Sequence, residues 1–423
     1  MPTITLNDVL LARDRRAQRQ MALLEKYEKP LICLTLNIPG PEKVNEKTAY
    51  AFKAGVSRLL EGLKTMGYPV LAQEDLSSPA GHGLLLAVNA PAEALKRLCV
   101  SLEDMDGLGR LFDMDVMDRD GRKLTRETER RCLICGLPGR GCASRRVHPV
   151  EQLQEKTWQT IEDYRVQAES ERIASLAVQS LLDEVCVTPK PGLVDCHDSG
   201  SHKDMDIFTF NASAAALYPY FQKCYRAGAR DKTLPPREAF NALEILGIEA
   251  ERMMRRATGG VNTHKGAIFT LGVLCGAAGR VGDHALEPWL QACAELTAHR
   301  MAPGVQAEVA EGLPSVGKIG LPVLQKAREQ GLSFNDQCLT VLLYLLAQVQ
   351  DTNMVARGGA QAAKAAREQA RALIGFHEAG GPGSGIRVIM KKLNAAYMAE
   401  RLSPGGCADL LAAALLADRW TRD

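Results

Sequence analysis

A chain of 423 residues is too long for one ordinary core, so at least two domains are expected. With 46% hydrophobic and 24% charged residues and a net charge of +2, its balance is that of a globular protein and gives no general case for nucleic-acid or membrane binding. Twelve cysteines, no basic-then-apolar leader and no apolar run of membrane-spanning length point to a reducing cytoplasm, with thiols free or metal-bound rather than paired.

In chain order, Leu31–Ile38 reads as a strand closed by Pro30 and Pro39-Gly40-Pro41. Glu42–Met66 has helical periodicity, with Gly67 as its C-cap. Gly83–Asn89 is a second strand, and Pro91 suits the first turn of a helix running to Glu103. Leu111–Met117 is a third strand, followed by a turn at Asp118–Gly121. This is an α+β pattern, and it occupies residues 1–165. From there the texture becomes Ala- and Leu-rich and helical, so residues 166–423 read as an all-α domain. Gln152–Val185 is one or two helices across that change. Ser333 and Asp336 resemble a capping box for a helix through Gln350, with Val341–Ala347 buried. Ser403 reads as an N-cap ahead of Pro404, leading into a helix over Asp409–Trp420.

Three features of the first domain carry chemistry. In Gly109–Val116, Asp113 and Asp115 stand two apart on a strand and point to one face. Two such carboxylates can hold Mg²⁺ over a phosphate, as nucleotidyl transfer requires, so a nucleotidyltransferase-like domain is expected. Cys132 and Cys135 have zinc-knuckle spacing, and Cys142 with His148 would complete a tetrahedral structural Zn²⁺ site; the alternative is four ordinary side chains. Between Arg119 and Arg146, nine basic residues face three acidic ones, which suits a polyphosphate or an acidic protein partner.

In the second domain two loops stand out. Thr188–Asp206 holds two prolines and two glycines, which forbid a continuous helix, yet carries Lys190, Asp195, Asp198, Asp204 and Asp206. Thr258–Gly266 pairs Gly259 with Gly260, adds Asn262, His264 and Lys265, and opens into the apolar run Ala267–Gly279. A helix start offers free N–H groups to an anion, although the spacing is not that of a Walker A loop.

At this point the residues resemble known families. Glu184–Asp195, Met254–Gly266, Asp351–Gly359 and Ser403–Leu411 together resemble triphosphoribosyl-dephospho-CoA synthase. Leu10–Arg15, Asn37–Pro41, Gly109–Val116 and the Cys132/Cys135/Cys142/His148 set resemble the phosphoribosyl-dephospho-CoA transferase that serves citrate lyase. The chain departs from the synthase pattern at Gln306-Ala307-Glu308, where Arg-Gly-Glu is usual. The resemblance implies a fused bifunctional transferase using ATP, with Mg²⁺, and 3'-dephospho-CoA, and an acyl carrier (gamma) subunit of citrate lyase as final acceptor. It implies metal or base roles for Asp195, Asp204, Asp206 and Asp351, and an acid or base role for Glu308. It implies ligand contacts for Lys190, Gly259, Gly260, Asn262, His264, Lys265 and Arg357. In the first domain it implies a metal at Asp113 and Asp115, with Arg13, Arg110 and Arg131 on the polyphosphate. Two alternatives are related enzymes for malonate decarboxylase and a nucleotide N-glycosidic hydrolase.

Overall fold

Thr5 and Asp8 start the first helix of the computed structural model by exchanging hydrogen bonds. The Thr5 hydroxyl accepts from the Asp8 amide at 3.2 Å, and the Asp8 carboxylate accepts from the Thr5 amide at 2.9 Å. The model describes residues 5–300, 302–380 and 383–422, without the side chains of Leu6, Arg140 and Ala143. The chain divides into two compact units, Met1–Arg165 and Val166–Asp423.

Unit 1 contains α1 (Leu6–Tyr27), β1 (Leu31–Leu36), α2 (Glu46–Thr65), β2 (Val70–Asp75), β3 (Gly83–Val88), α3 (Ala92–Asp104) and β4 (Phe112–Met117). The strands form one antiparallel sheet in the order β2-β3-β1-β4. One face, with Ile32, Leu34, Leu86, Met114 and Val116, packs in the main core of this unit. The other face, with Leu31, Cys33, Leu85 and Ala87, is covered by Leu23 and Leu24 of α1. Because strand side chains alternate, Asp113 and Asp115 lie on the α1 side, opposite Thr35 and Cys33 in register. β1 ends at Leu36 and α2 begins at Glu46, both inside the expected spans, because Asn45 caps α2 by accepting from Thr48 N at 2.8 Å. A short helix, α4 (Gly139–Ser144), precedes α5 (Val150–Cys186), one unbroken helix within which the division between the units falls.

Unit 2 continues with α6 (Ile207–Ala216), α7 (Tyr218–Arg230), α8 (Pro236–Ala257), α9 (Lys265–Val281), α10 (Leu286–Thr297) and α11 (Val305–Ala310). Then come α12 (Leu321–Glu329), α13 (Phe334–Gln348), α14 (Thr352–Glu378), α15 (Ile386–Ala399) and α16 (Gly405–Thr421). No strand occurs in this unit among the described residues. Three helices, α9, α13 and α16, are apolar on nearly every side and are buried accordingly. Close approach of α7 to α9 depends on glycine: a Cβ on Gly228 would sit 1.8 Å from the carbonyl oxygen of Gly276.

Two caps differ from expectation. Ser333 caps α13, accepting from Asp336 N at 3.3 Å, but the Asp336 carboxylate turns to Arg387 at 2.6 Å, so only half the box forms. Ser403 does not cap α16; Pro404 holds that position, and the Ser403 hydroxyl pairs with His202 Nε2 at 2.8 Å. Among the described residues, no helix is long and apolar enough to cross a membrane.

Candidate functional site

Unit 2 holds a cavity of about 420 Å³ where five loops and helix ends converge. Its cationic and polar wall includes Lys190, Asn262, His264, Lys265 and Arg357. Its carboxylates are Glu184, from the last turn of α5, and Asp409, from α16. Lys190 is 1% exposed and its ammonium is paired with Glu184, itself 4% exposed. Burial raises the Glu184 carboxyl, with Lys190 opposing. Asp409 is only partly exposed, and burial of its carboxyl, reinforced by Glu184 and Asp351, pushes it well above the usual range. Asp409 lies against Gly266 in the first turn of α9: a Cβ there would stand 1.9 Å from Oδ2.

His264 is buried and offers a neutral ring. Burial, aided by Lys190, lowers it to about 3. Its Nδ1 pairs with Ser213 Oγ at 2.7 Å, while Nε2 has no partner. Thr263 Oγ1 and Gln306 Oε1, also on cavity-lining residues, are buried without partners. Three orphaned polar atoms on one cavity's walls fit a polar ligand, since buried donors and acceptors are otherwise satisfied. Arg357 is held at the rim by the Ser201 carbonyl at 3.3 Å and His202 Nδ1 at 3.1 Å.

The acidic residues singled out from sequence stand elsewhere. Asp195 takes four donors in its own loop: Thr188 Oγ1, Lys190 N, His197 N and Asp198 N, at 2.7–3.1 Å. Asp351 caps α14 through Asn353 N and Met354 N and accepts from Cys407 N at 2.9 Å. Asp206 caps α6, and Asp204 is exposed. Glu308 accepts from the Ser315 amide and hydroxyl. Gly259 and Gly260 form the left-handed turn after α8, with φ of 65° and 101°. None of these seven lines the cavity. Glu184 and Asp409 were missed as site residues, although an acid inside the apolar run of α16 is itself a signal.

Unit 1 has a larger cavity, about 920 Å³. Asn37, Pro39, Arg110, Arg131, Cys132, Cys142 and His148 line it, which unites three motifs distant in sequence. Arg126, Arg130 and Arg146, which sequence reading left unassigned individually, line it as well. Glu103, 1% exposed, anchors two of them: it pairs with Arg130 and lies 3.5 Å from Arg126, and it accepts from Met114 N at 2.7 Å. Asp113 adjoins the cavity through Arg130 at 3.5 Å, and Asp115 pairs with Lys123 at 2.6 Å. Arg13 is exposed on α1, outside the lining.

The donor atoms of Cys132, Cys135, Cys142 and His148 all lie within 4.8 Å of one another. Tetrahedral zinc with Zn–S bonds of about 2.3 Å spaces its sulfurs by roughly 3.8 Å. Sγ of Cys135 and Cys142 are 3.4 Å apart, and His148 Nε2 is buried with no partner. The four residues fit a zinc ion. No other group of three or more such donors converges among the described residues, so Asp195, Asp204, Asp206 and Asp351 form no ready metal site.

Comparison with known proteins agrees with this division. Residues 4–164 match the family described as apo-citrate lyase phosphoribosyl-dephospho-CoA transferase. Segments 170–302 and 287–423 match ATP:dephospho-CoA triphosphoribosyl transferase. The chain is 30% identical to Protein CitXG of Haemophilus influenzae, over 97% of this chain and 95% of that one. It is 28% identical to Protein CitXG of Leuconostoc mesenteroides, over 96% and 95%. A probable 2-(5''-triphosphoribosyl)-3'-dephosphocoenzyme-A synthase of Vibrio cholerae is 37% identical over 58% of this chain and 86% of its own. These two family matches make the chain a transferase of the citrate lyase prosthetic-group pathway. More particularly, the chain belongs to the CitXG family, in which both transferases are joined in one polypeptide.

Proposed function

We propose that unit 2 joins ATP to 3'-dephospho-CoA, giving 2'-(5''-triphosphoribosyl)-3'-dephospho-CoA and adenine. The 2'-hydroxyl of dephospho-CoA attacks C1' of the ATP ribose, the C1'–N9 bond breaks, and the triphosphate is retained. The hydroxyl proton goes to Glu184, the carboxylate paired with Lys190 in the cavity wall. Asp409, whose carboxyl burial pushes well above the usual range, gives its proton to the departing adenine. Lys265 and Arg357 face the triphosphate, Asn262 and the neutral His264 contribute hydrogen bonds, and the Glu184 carboxylate stabilises the oxocarbenium-like ribose. Mg²⁺ bound with ATP would offset charge on the phosphates beside Lys265 and Arg357.

In unit 1 the reading is a nucleotidyltransferase-like reaction. A serine hydroxyl of the acyl carrier subunit attacks the α-phosphate of the intermediate and pyrophosphate leaves. Arg110, Arg126, Arg130 and Arg131 hold the polyphosphate, with Glu103 fixing Arg126 and Arg130. Asp113 and Asp115 share one accessible face and would hold a divalent ion that offsets charge on the transferred phosphate. Zinc at the Cys/His set would be structural, pinning the loop that carries Arg130 and Arg131.

The observation that supports the synthase reading most is the pairing, in one cavity, of the Glu184 and Asp409 carboxyls with Lys190, Asn262, His264 and Lys265 from both loops. The test is adenine release from ATP, with and without dephospho-CoA, for wild type and Asp409→Asn. Release that requires dephospho-CoA and falls at least ~100-fold in the variant is expected for loss of a general acid. Release without dephospho-CoA would instead indicate the hydrolase.

A further inference from the structure

A second cavity in unit 2, of about 280 Å³, adjoins the first and shares Lys265, Gly266, Val305 and Gln306 with it. Its floor is a single stripe of α8: Phe240, Leu243, Glu244, Gly247, Ile248 and Glu251. Those eleven residue steps span about 16 Å at 1.5 Å per residue. The stripe is therefore a groove, faced across by Phe269 and Val273 of α9. Gly247 keeps it open, since a Cβ there would have Tyr220 Oη, at 3.8 Å, as its nearest neighbour. Ile248 is 51% exposed along it.

We propose that this groove binds the pantetheine arm of dephospho-CoA, an assignment that rests on the synthase reading of the adjoining cavity. The two spaces share Lys265, Gly266, Val305 and Gln306, so a ligand in the basic cavity that extends past these residues reaches the groove. The part in the groove must be long, uncharged and largely apolar. A purine is too short to fill three turns of helix. A triphosphate finds no free cation there: the lining's Arg300 is taken by Glu244 at 2.6 Å, Lys265 stands 3.5 Å from Glu251, and the rest of the floor is apolar. An arm of methylenes and secondary amides satisfies all three conditions. Its amide N–H groups need acceptors, and Gln306 Oε1 waits at the junction, buried and without a partner. Binding at a distance from the reacting ribose is the kind of interaction that positions an acceptor hydroxyl for attack.

The experiment is calorimetric binding of dephospho-CoA and of ATP, separately, to the full chain and to Gly247→Leu. The leucine side chain fills the groove from a helical position that has room for its Cβ. Dephospho-CoA affinity should fall at least ten-fold and ATP affinity less than two-fold. Ile248→Glu, at an exposed position, should reproduce this, and matching unfolding temperatures exclude misfolding as the cause. Unchanged dephospho-CoA affinity in both variants, or an equal loss for ATP, would overturn the assignment. Adenine release by wild type tests the synthase reading on its own. A wild type that binds dephospho-CoA through the groove but releases no adenine would sink that reading and leave the groove standing.

Discussion

Substituting Gly266 by alanine tests how firmly Asp409 is placed. The added Cβ would lie 1.9 Å from Asp409 Oδ2 and 2.9 Å from its Cγ, separations that real Cβ atoms do not show. Asp409 is only partly exposed and lines the cavity, so either its carboxyl turns away from that position or the first turn of α9 shifts. Overpacking of this kind costs about 1–3 kcal/mol. Alanine's better helix propensity offsets up to about 1 kcal/mol of that. A net loss of about 1–2 kcal/mol should lower the calorimetric unfolding temperature of this unit by roughly 2–8 °C. Adenine release should fall with it, because the proton donor is displaced. Adding Asp409→Ala to Gly266→Ala removes the clash. The double variant should then be more stable than the sum of the single effects by about 0.5–3 kcal/mol. Wild-type stability and rate in Gly266→Ala, or strict additivity in the cycle, would refute the reasoning.

Asp409 also makes stability depend on pH. Its folded pKa is raised, so above 3.8 the unfolded chain releases a proton that the folded chain keeps, and the folded state loses ground as pH rises. Wild type and Asp409→Asn should therefore differ least near pH 4, with the variant gaining relative stability toward neutrality in urea titrations. His264 works in the opposite direction. Between pH 6.5 and about 3 the unfolded chain takes up a proton that the folded imidazole refuses, so stability is lost as pH falls through that window. His264→Gln should flatten that part of the acid unfolding curve. Metal analysis of purified protein should find one zinc per chain, and Cys132→Ser should lose it along with part of the thermal stability of residues 1–165; a wild type free of zinc would remove that site.

The strands and the long helices were legible because prolines and glycines punctuate apolar runs. α1 and β2 were not. β2 has mostly exposed residues and little alternation, and it pairs only at the sheet edge, so nothing in its own sequence marks a strand. In the site, the basic residues could be read from their loops, since a lysine or arginine beside glycines and helix starts has few other tasks. The carboxylates could not. An aspartate in a tight turn looks the same whether it awaits a metal or accepts backbone N–H groups, and only the folded loop decides. Asp195 and Asp351 went to the backbone. Asp409 and Glu184 lie on helices; an acid in the apolar run of α16 marks Asp409 as unusual, but only the fold shows that the two face the same space.

The four hydrogen bonds on Asp195 have a consequence for ligand capture. They tie Thr188, Lys190, His197 and Asp198 to one carboxylate, so the segment carrying Lys190 and His202 is ordered by its own contacts. Each such residue would otherwise surrender about 1–2 kcal/mol of backbone entropy when a nucleotide arrived. That ordering is completed during folding, so under the proposed reaction the nucleotide's binding energy would be left for the reacting ribose.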